Sequence, residues 1–238
     1  ATEKVYLKYL NLMNDTIQSG GNLFLLGQNA ARKFREIGVN SQSRPIIGLV
    51  GEIYLRNNRF SNNHLITKLE ALGAEVRLAT FGEWINYTSL TFKLDSIYKK
   101  NWKGFLKAII QSYLQHRDET GMINKFQKFV PIDYEAPVAR IAELAAPYLP
   151  IDLRGEAVLS VGKAIDFASH GASGVINCMP FNCMPGTIVT SLSRKISQDL
   201  GNLPWLNISY EGLKDTGEET RLDAFMDQVK YRYQQITV

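Results

Sequence analysis

The spacing of hydrophobic residues changes near residue 40. Apolar side chains recur every three or four positions over residues 3–18 and again over residues 23–37, which predicts two N-terminal helices. Residues 46–51 (IIGLVG) form instead a short, continuous apolar run, and residues 74–80 (AEVRLAT) form another after a helical stretch. Such runs predict buried strands, and a strand–helix–strand unit of this size predicts that the two strands are parallel.

Helical spacing returns over residues 81–172 and continues for far longer than a crossover connection needs. We interpret this region as an inserted helical layer or lid. Residues 174–179 (GVINCM) and 204–209 (PWLNIS) are then predicted as two further strands, each followed by a helical pattern. The predicted organisation is an N-terminal helical segment over 1–40, a parallel α/β domain formed by 41–80 and 173–238, and the insertion over 81–172.

Four strands that alternate with helices predict a parallel sheet covered by helices on both faces. For a small doubly wound sheet the favoured strand order is 2-1-3-4, as in flavodoxin-like folds, and ligands bind outside the carboxyl ends of the strands. In this order the first and third strands are neighbours. The loop after Val50 and the loop after the third strand are therefore expected to flank one crevice.

Composition and charge narrow the classes of protein that fit this pattern. The chain is 45% hydrophobic and 21% charged, which is an ordinary balance for a globular protein. No apolar run approaches the roughly 18 residues of a membrane span, and the net charge of +4 is scattered, so neither a membrane nor nucleic acid is expected as a partner. Two cysteines do not make a disulfide framework, which favours a reducing cytoplasm.

Both cysteines lie in one loop, GVINCMPFNCMPGT, where Met-Pro follows each of them. Cys178 is expected at the end of a strand and Cys183 just before a helix, with Gly186 or Thr187 as the helix N-cap. A helix N-terminus lowers the pKa of a nearby thiol, and the prolines stiffen the loop. The amides of Asn182, Gly186 and Thr187 are expected to point at an anion or at cluster sulfides. Three interpretations stay open: small hydrophobic residues at a strand end, metal or cluster ligands, and redox or nucleophilic thiols.

A second group of polar residues follows the first strand and precedes the next helix. Arginine and a helix start rich in Asn and Ser are suited to bind a phosphate or an acyl-CoA carboxylate, although the same composition is typical of an ordinary polar loop with a capping Asn. After the fourth strand, Glu211 is placed to act as an acid or base or to be merely solvated. The candidate ligand-binding residues are Glu52, Arg56, Asn57, Asn58, Arg59, Ser61, Asn62 and Glu211.

Three segments of the chain resemble one protein family. The segments are GEIYLRNNRFSNNHLITKLEALGAEV, the run from GEAVLSVGKAIDF through NCMPFNCMPGT, and SYEGLKDTGEETRLDAFMDQ. Together they touch most of residues 45–230 and resemble the proteins related to the 2-hydroxyacyl-CoA dehydratase activases. These large anaerobic proteins join an ATPase activator to dehydratase-like domains. The dehydratases carry a [4Fe–4S] cluster, held by three cysteines per subunit, on flavodoxin-like domains.

The resemblance implies that Cys178 and Cys183 are ligands of an iron–sulfur cluster and that a third ligand lies elsewhere. This chain has no third cysteine. The alternatives are a further segment upstream, a cluster shared with another chain, and a domain that has kept the fold but lost the cluster.

Two functional hypotheses follow from the resemblance. In the first, the chain is a cluster-bearing part of a radical acyl-CoA dehydratase-like lyase system, in which an ATP-driven activator delivers an electron to the cluster and the acyl-CoA substrate enters past Arg56 and Arg59. In the second, it is a non-catalytic scaffold or docking domain of the activase-related protein, without a cluster. The implied partners are an ATP-dependent activator or other domains of a longer polypeptide.

Overall fold

Four parallel strands form one sheet in the computed structural model, which describes residues 1–38, 43–130, 135–212 and 216–237. The strands are β1 (Ile46–Gly51), β2 (Glu75–Leu78), β3 (Ala172–Pro180) and β4 (Trp205–Tyr210). Their order across the sheet is β2-β1-β3-β4, and every pair of neighbours is parallel. The predicted fold class, a small doubly wound parallel sheet of the flavodoxin-like kind, is therefore confirmed.

Ten α-helices are described in the ranges above. Four of them are α1 (Thr2–Gln18), α2 (Leu23–Arg35), α5 (Phe81–Tyr98) and α6 (Trp102–Gln127). The others are α3 (Ile53–Asn57), α4 (Leu65–Ala71), α7 (Val138–Ala145), α8 (Glu156–Ser169), α9 (Met184–Asp199) and α10 (Glu218–Thr237), with a short 3-10 helix at Ile151–Leu153. None of these helices combines the length and the hydropathy that crossing a bilayer requires.

Alternating side chains of the strands supply the cores on the two faces of the sheet. On one face, Ile176 of β3 is buried in a cluster with Leu65 of α4 and Phe225 of α10. On the other face, Val175 is buried in a cluster with Phe167 of α8. Because successive residues of a strand point to opposite faces, both faces must be covered, and the continuous apolar runs of the sequence reflect this double burial.

The contacts divide the chain into two compact units. We call Ser43–Thr91 with Ala136–Val238 the sheet unit, and Ala1–Gln42 with Phe92–Glu135 the helical unit. The predicted insertion over 81–172 is divided differently in the structure, because its last part, which includes α7 and α8, packs with the sheet. Helical periodicity alone does not reveal which partner a helix packs against. The predicted boundary between residues 40 and 41 lies outside the described residues.

Candidate functional site

The loops after β1 and β3 meet at the carboxyl edge of the sheet, as the predicted strand order requires. Gly51 is the register partner of Cys178, and the amide of Glu52 donates to the Cys178 carbonyl over 2.9 Å. A Cβ at Gly51 would lie 1.9 Å from the same carbonyl oxygen, and the residue has a φ of +119°. Only glycine is compatible with both conditions, so Gly51 allows the two loops to approach this closely.

Cys178 lies inside the hydrophobic core. Its side chain has no exposed surface and belongs to the cluster that contains Ile176 and Leu65. Burial raises the pKa of this thiol to about 12, against a smaller opposing effect of the Arg56 charge. A metal ligand is a thiolate, and this thiol is neutral at physiological pH. The position corresponds to the interpretation of a small hydrophobic residue at a strand end.

Cys183 has a different environment, because it is the half-buried N-cap residue of α9. Helix α9 packs on the face of the sheet opposite to the Cys178 side chain: a Cβ at Gly186 would lie only 2.7 Å from the Cβ of Met179, the neighbour of Cys178. The Cys178 side chain therefore lies on one face of the sheet, and helix α9, which Cys183 precedes, lies on the other. Among the described residues, no group of three or more His, Cys, Asp or Glu side chains is arranged to hold a metal ion.

Helix α9 begins earlier than the sequence predicts. The predicted N-cap at Gly186 or Thr187 is wrong, since the helix starts at Met184 and Pro185 occupies its first turn. Proline is tolerated there because the first amides of a helix have no intrahelical acceptor. The Thr187 amide donates to the Cys183 carbonyl over 2.9 Å, so it does not point at an anion as expected.

Arg56 is buried and joins the ends of two strands. One terminal nitrogen, Nη1, donates to the Gly51 carbonyl over 2.7 Å, and the other, Nη2, donates to the Thr80 carbonyl over 3.2 Å. Burial lowers the pKa of the guanidinium, which remains charged, while the buried carboxylate of Glu83 attracts it. Arg56 was a candidate for binding a substrate anion, but only 2% of its surface is exposed, and it instead stabilises the carboxyl edge of β1.

Two carboxylates lie at the start of the short helix α3. Glu52 accepts hydrogen bonds from the amides of Tyr54 and Leu55 over 3.0 and 2.7 Å, and Glu156 of α8 lies close enough to the Ile53 amide for that amide to lower its pKa slightly. Burial raises the pKa of Glu156, and the negative charge of Glu52 raises it further. The predicted candidate Glu52 is therefore a helix cap, and Glu156 is a neighbour in space that no sequence pattern singles out.

The amide and hydroxyl side chains of the same loop bind its own backbone. Asn57 donates to a carbonyl one turn earlier over 2.7 Å, and Asn58 accepts from the amide of Ser61 over 3.0 Å. Asn62 is buried, donates to two carbonyls of α3 and accepts from the first amide of α4. These contacts are those of a self-capping polar loop. By contrast, Arg59 and Glu211 are exposed in loops at the carboxyl edge.

A buried carboxylate fixes the loop after β1 to the opposite end of the chain. Glu218, in the first turn of α10, accepts hydrogen bonds from Asn63, Lys68 and the Tyr210 hydroxyl over 2.6, 2.9 and 2.9 Å. Burial and the Glu218 charge raise the pKa of Tyr210. The three donors satisfy a carboxylate that is 2% exposed, so this side of the carboxyl edge is rigidly connected.

Exposed apolar side chains lie in the segments that follow the strands at the carboxyl edge, and none of them is among the predicted ligand-binding residues. They follow β1, β2 and β3 in the chain, within turns and first helical turns where polar residues are usual. Phe60 is 89% exposed and Met184 72% exposed. For Phe81, Phe181 and Met184 the signal in the sequence is a large apolar residue beside Gly, Asn or Pro. We call the following residues the edge rim: Tyr54, Phe60, Phe81, Trp84, Phe181 and Met184.

Comparison of the chain with protein-family models, with curated proteins and with solved structures found no match in any of the three.

Proposed function

We propose that this chain is a docking domain, without a catalytic centre of its own, in a protein system related to the 2-hydroxyacyl-CoA dehydratase activases. The edge rim would be the surface that binds its protein partner. The family is suggested by the resemblance of residues 45–230, and the docking role by the chemistry of the carboxyl edge.

The observation that carries the proposal is the contrast between the polar and the apolar side chains at this edge. Arg56 and Asn62 are buried and bonded to the backbone of the sheet unit, whereas Phe60, Phe181 and Met184 are exposed. A site for a phosphate or carboxylate requires charged donors that face the ligand, and of the two arginines predicted for this site only Arg59 is exposed. A surface of exposed aromatic and Met side chains is instead typical of the energetic centre of a protein–protein interface.

The partner that fits is an ATP-dependent activator or another domain of a longer polypeptide. Carboxyl edges of parallel sheets are the usual ligand sites of this fold class, and here the rim would present apolar surface at that position. Exposing several large apolar side chains to water is unfavourable, and burying each of them in an interface contributes about 1.5–3 kcal/mol.

The cysteines do not support a cluster held within this chain. A cluster needs thiolates that can reach the same ion, while Cys178 is enclosed by the core and Cys183 caps a helix on the other face of the sheet. The iron–sulfur cluster with Cys178 and Cys183 as ligands and a third ligand from elsewhere stays a prediction.

Binding to an activator tests the docking role. The full chain is titrated, by calorimetry, with the ATP-dependent activator subunit of a dehydratase system. Phe181→Ser and Met184→Ser are expected to weaken binding about tenfold or more each. Tyr231→Ser is the matched control, because Tyr231 is equally exposed but lies on the second half of α10. Equal affinity for the rim variants and the control would refute the rim as the binding surface.

Iron analysis tests the role of the cysteines separately. The protein is produced under anaerobic, iron-replete conditions, and its iron and sulfide are measured with and without Cys178→Ala and Cys183→Ala. We expect no iron that depends on Cys178. In the folded protein, a thiol reagent should modify Cys183 and leave Cys178 unmodified until urea is added. Stoichiometric iron that Cys178→Ala removes would contradict the docking proposal and support the cluster.

A further inference from the structure

The first half of α6 carries an exposed apolar face. The helix contacts α5 near Gly104, where a Cβ would lie 2.8 Å from the Ser96 hydroxyl oxygen, and its second half lies against α2, where a Cβ at Gly121 would lie 3.1 Å from the Phe24 ring. Leu106 and Ile110 lie across the helix from the buried Gly104 and Ala108, and both are more than half exposed. A helix that is apolar on two faces requires a second partner for the outer one.

The outer face of α6 forms a shallow groove of about 570 Å³. It extends from Lys103 to Asp118, about 22 Å along the helix axis. Leu106, Ile110 and Leu114 supply its apolar surface, and they are spaced one helical turn apart. All of the side chains that line the groove belong to this one helix, so the groove is a surface of the helical unit alone.

The positions of the side chains along the groove are symmetric when the helix direction is reversed, and the charged residues at its two ends, Lys103 and Asp118, are complementary. The two-fold axis would pass between Ile110 and Gln111. Lys103 would then face Asp118 of the second copy, while Leu106 would face its Gln115 and Lys107 its Leu114. Every residue that lines the groove has a lining residue opposite it, which is the property of an isologous contact.

The charges of the groove favour the antiparallel over the parallel arrangement. Lys103 and Lys107 lie in the first half of the groove and Asp118 at its end. Parallel helices would place each lysine beside its own copy, whereas antiparallel helices place Lys103 beside Asp118 and also oppose the two helix dipoles. Asp118 is exposed and forms an ion pair with Arg117 over 2.8 Å.

From these observations we propose that α6 binds a second copy of this chain, as an antiparallel helix pair with its two-fold axis between Ile110 and Gln111. The proposal goes beyond the proposed function, because it concerns the helical unit and a contact between identical chains rather than the edge rim and its partner. The stem of each lysine covers apolar surface of the opposing helix while its ammonium group stays in water.

Sedimentation equilibrium of the full chain, from about 1 to about 100 μM, tests the proposal. We expect a monomer–dimer equilibrium. Ile110→Asp should abolish the dimer, and Lys103→Asp or Asp118→Lys alone should weaken it about tenfold or more by placing like charges opposite each other. The double variant Lys103→Asp with Asp118→Lys should return the dissociation constant to within about threefold of the original.

Lys8→Asp on α1 is the matched control for a charge reversal on another helix of the same unit, and it should leave the equilibrium unchanged. Circular dichroism checks that each variant keeps its helix content. A monomer at every concentration overturns the proposal, including a monomer that binds vesicles containing phosphatidylserine through Lys103 and Lys107. A dimer that persists in Ile110→Asp, or a double variant no tighter than the single ones, also overturns it.

Discussion

The sheet unit and the helical unit bury their side chains differently. The sheet unit encloses large aliphatic residues completely, among them Ile47, Leu49 and Ile176. In the described part of the helical unit, the only buried hydrophobic residues are Ala30, Ala31 and Ala108, and of these Ala31 and Ala108 are completely enclosed. Its larger apolar side chains are half-buried or exposed.

This difference shows which unit is stabilised by its own core. Burial of large aliphatic side chains is the main favourable contribution to folding, so the sheet unit is stabilised by a hydrophobic core of its own. Helices that meet through alanine and glycine approach closely but remove little apolar surface from water. The helical unit therefore leaves much of its apolar surface exposed, and the groove of α6 is one place where a further contact fits.

Gly51→Ala should have the largest effect and acts on the centre of the sheet unit. The new methyl group would overlap the Cys178 carbonyl and require a φ of +119°, so β1 and β3 would have to separate at their carboxyl ends. We expect a loss of more than about 4 kcal/mol, measured by urea unfolding, or failure to fold. The same change at Gly212, where nothing lies within 4 Å of the added Cβ, is the control. A stable, unchanged Gly51→Ala protein would show that the two loops are not in contact.

Arg56→Ala in the sheet unit and Lys33→Ala in the helical unit compare the removal of a buried charge with the removal of an exposed one. The change removes two hydrogen bonds to strand-end carbonyls and the cation that attracts the buried Glu83 carboxylate. We expect the free energy of unfolding to fall by about 3–5 kcal/mol. Lys33→Ala in the helical unit breaks the exposed pair with Glu36 and should produce no measurable loss. If the two variants lose equal stability, Arg56 does not stabilise the carboxyl edge as described.

The same Leu→Ala substitution in each unit measures the difference between them most directly. Leu49→Ala empties a completely enclosed position and should destabilise the protein by about 3 kcal/mol. Leu106→Ala removes an exposed side chain and should change the free energy of unfolding by less than about 0.5 kcal/mol, when measured at a concentration where the chain is monomeric. A loss at Leu106 as large as that at Leu49 would mean that α6 is covered within the monomer.

The smallest effect is expected for Glu156→Gln, which concerns a half-buried charge of the sheet unit. The folded-state pKa of Glu156 is raised, first by burial and then by Glu52, so protonated Glu156 contributes stability that is lost as pH rises through the raised pKa. Gln keeps an acceptor for the Ile53 amide and does not titrate. The free energy of unfolding of the variant minus that of the original protein should therefore be larger at pH about 7 than at pH about 4.

Urea unfolding midpoints at both pH values measure this difference, and Glu211→Gln is the control for the same substitution at an exposed position. A difference between Glu156→Gln and the original protein that does not depend on pH would contradict the raised pKa.

Sequence patterns predicted the sheet better than the packing of the helices. The four apolar runs became β1 to β4 with ends shifted by at most a few residues, and the predicted order is the observed one. The grouping of 81–172 as one insertion differs from the structure, because the periodicity of α8 is the same whether it covers the sheet or forms a separate layer. A helix pattern specifies an apolar face without specifying the surface that covers it.

Residue types at the carboxyl edge were a weaker guide to their roles. Arg56 and Asn62 were selected as ligand-binding residues because of their chemistry, and both bind the backbone of the sheet unit instead. Cys178 and Cys183 were treated as one pair because only four residues separate them. A strand end and a helix start lie between them, and the alternation of side chains across the sheet places Cys178 in the core.

The sequence by itself determined the parallel sheet, its order and the meeting of two loops at one edge, because alternation of strands and helices leaves few ways to cover a sheet. Only the tertiary structure decided which side chains of those loops face water. Exposure depends on the direction in which each side chain points from the sheet. It also depends on which residues far away in the sequence, such as Glu156 and Glu218, lie close in space. The spacing of residues along the chain expresses neither of these.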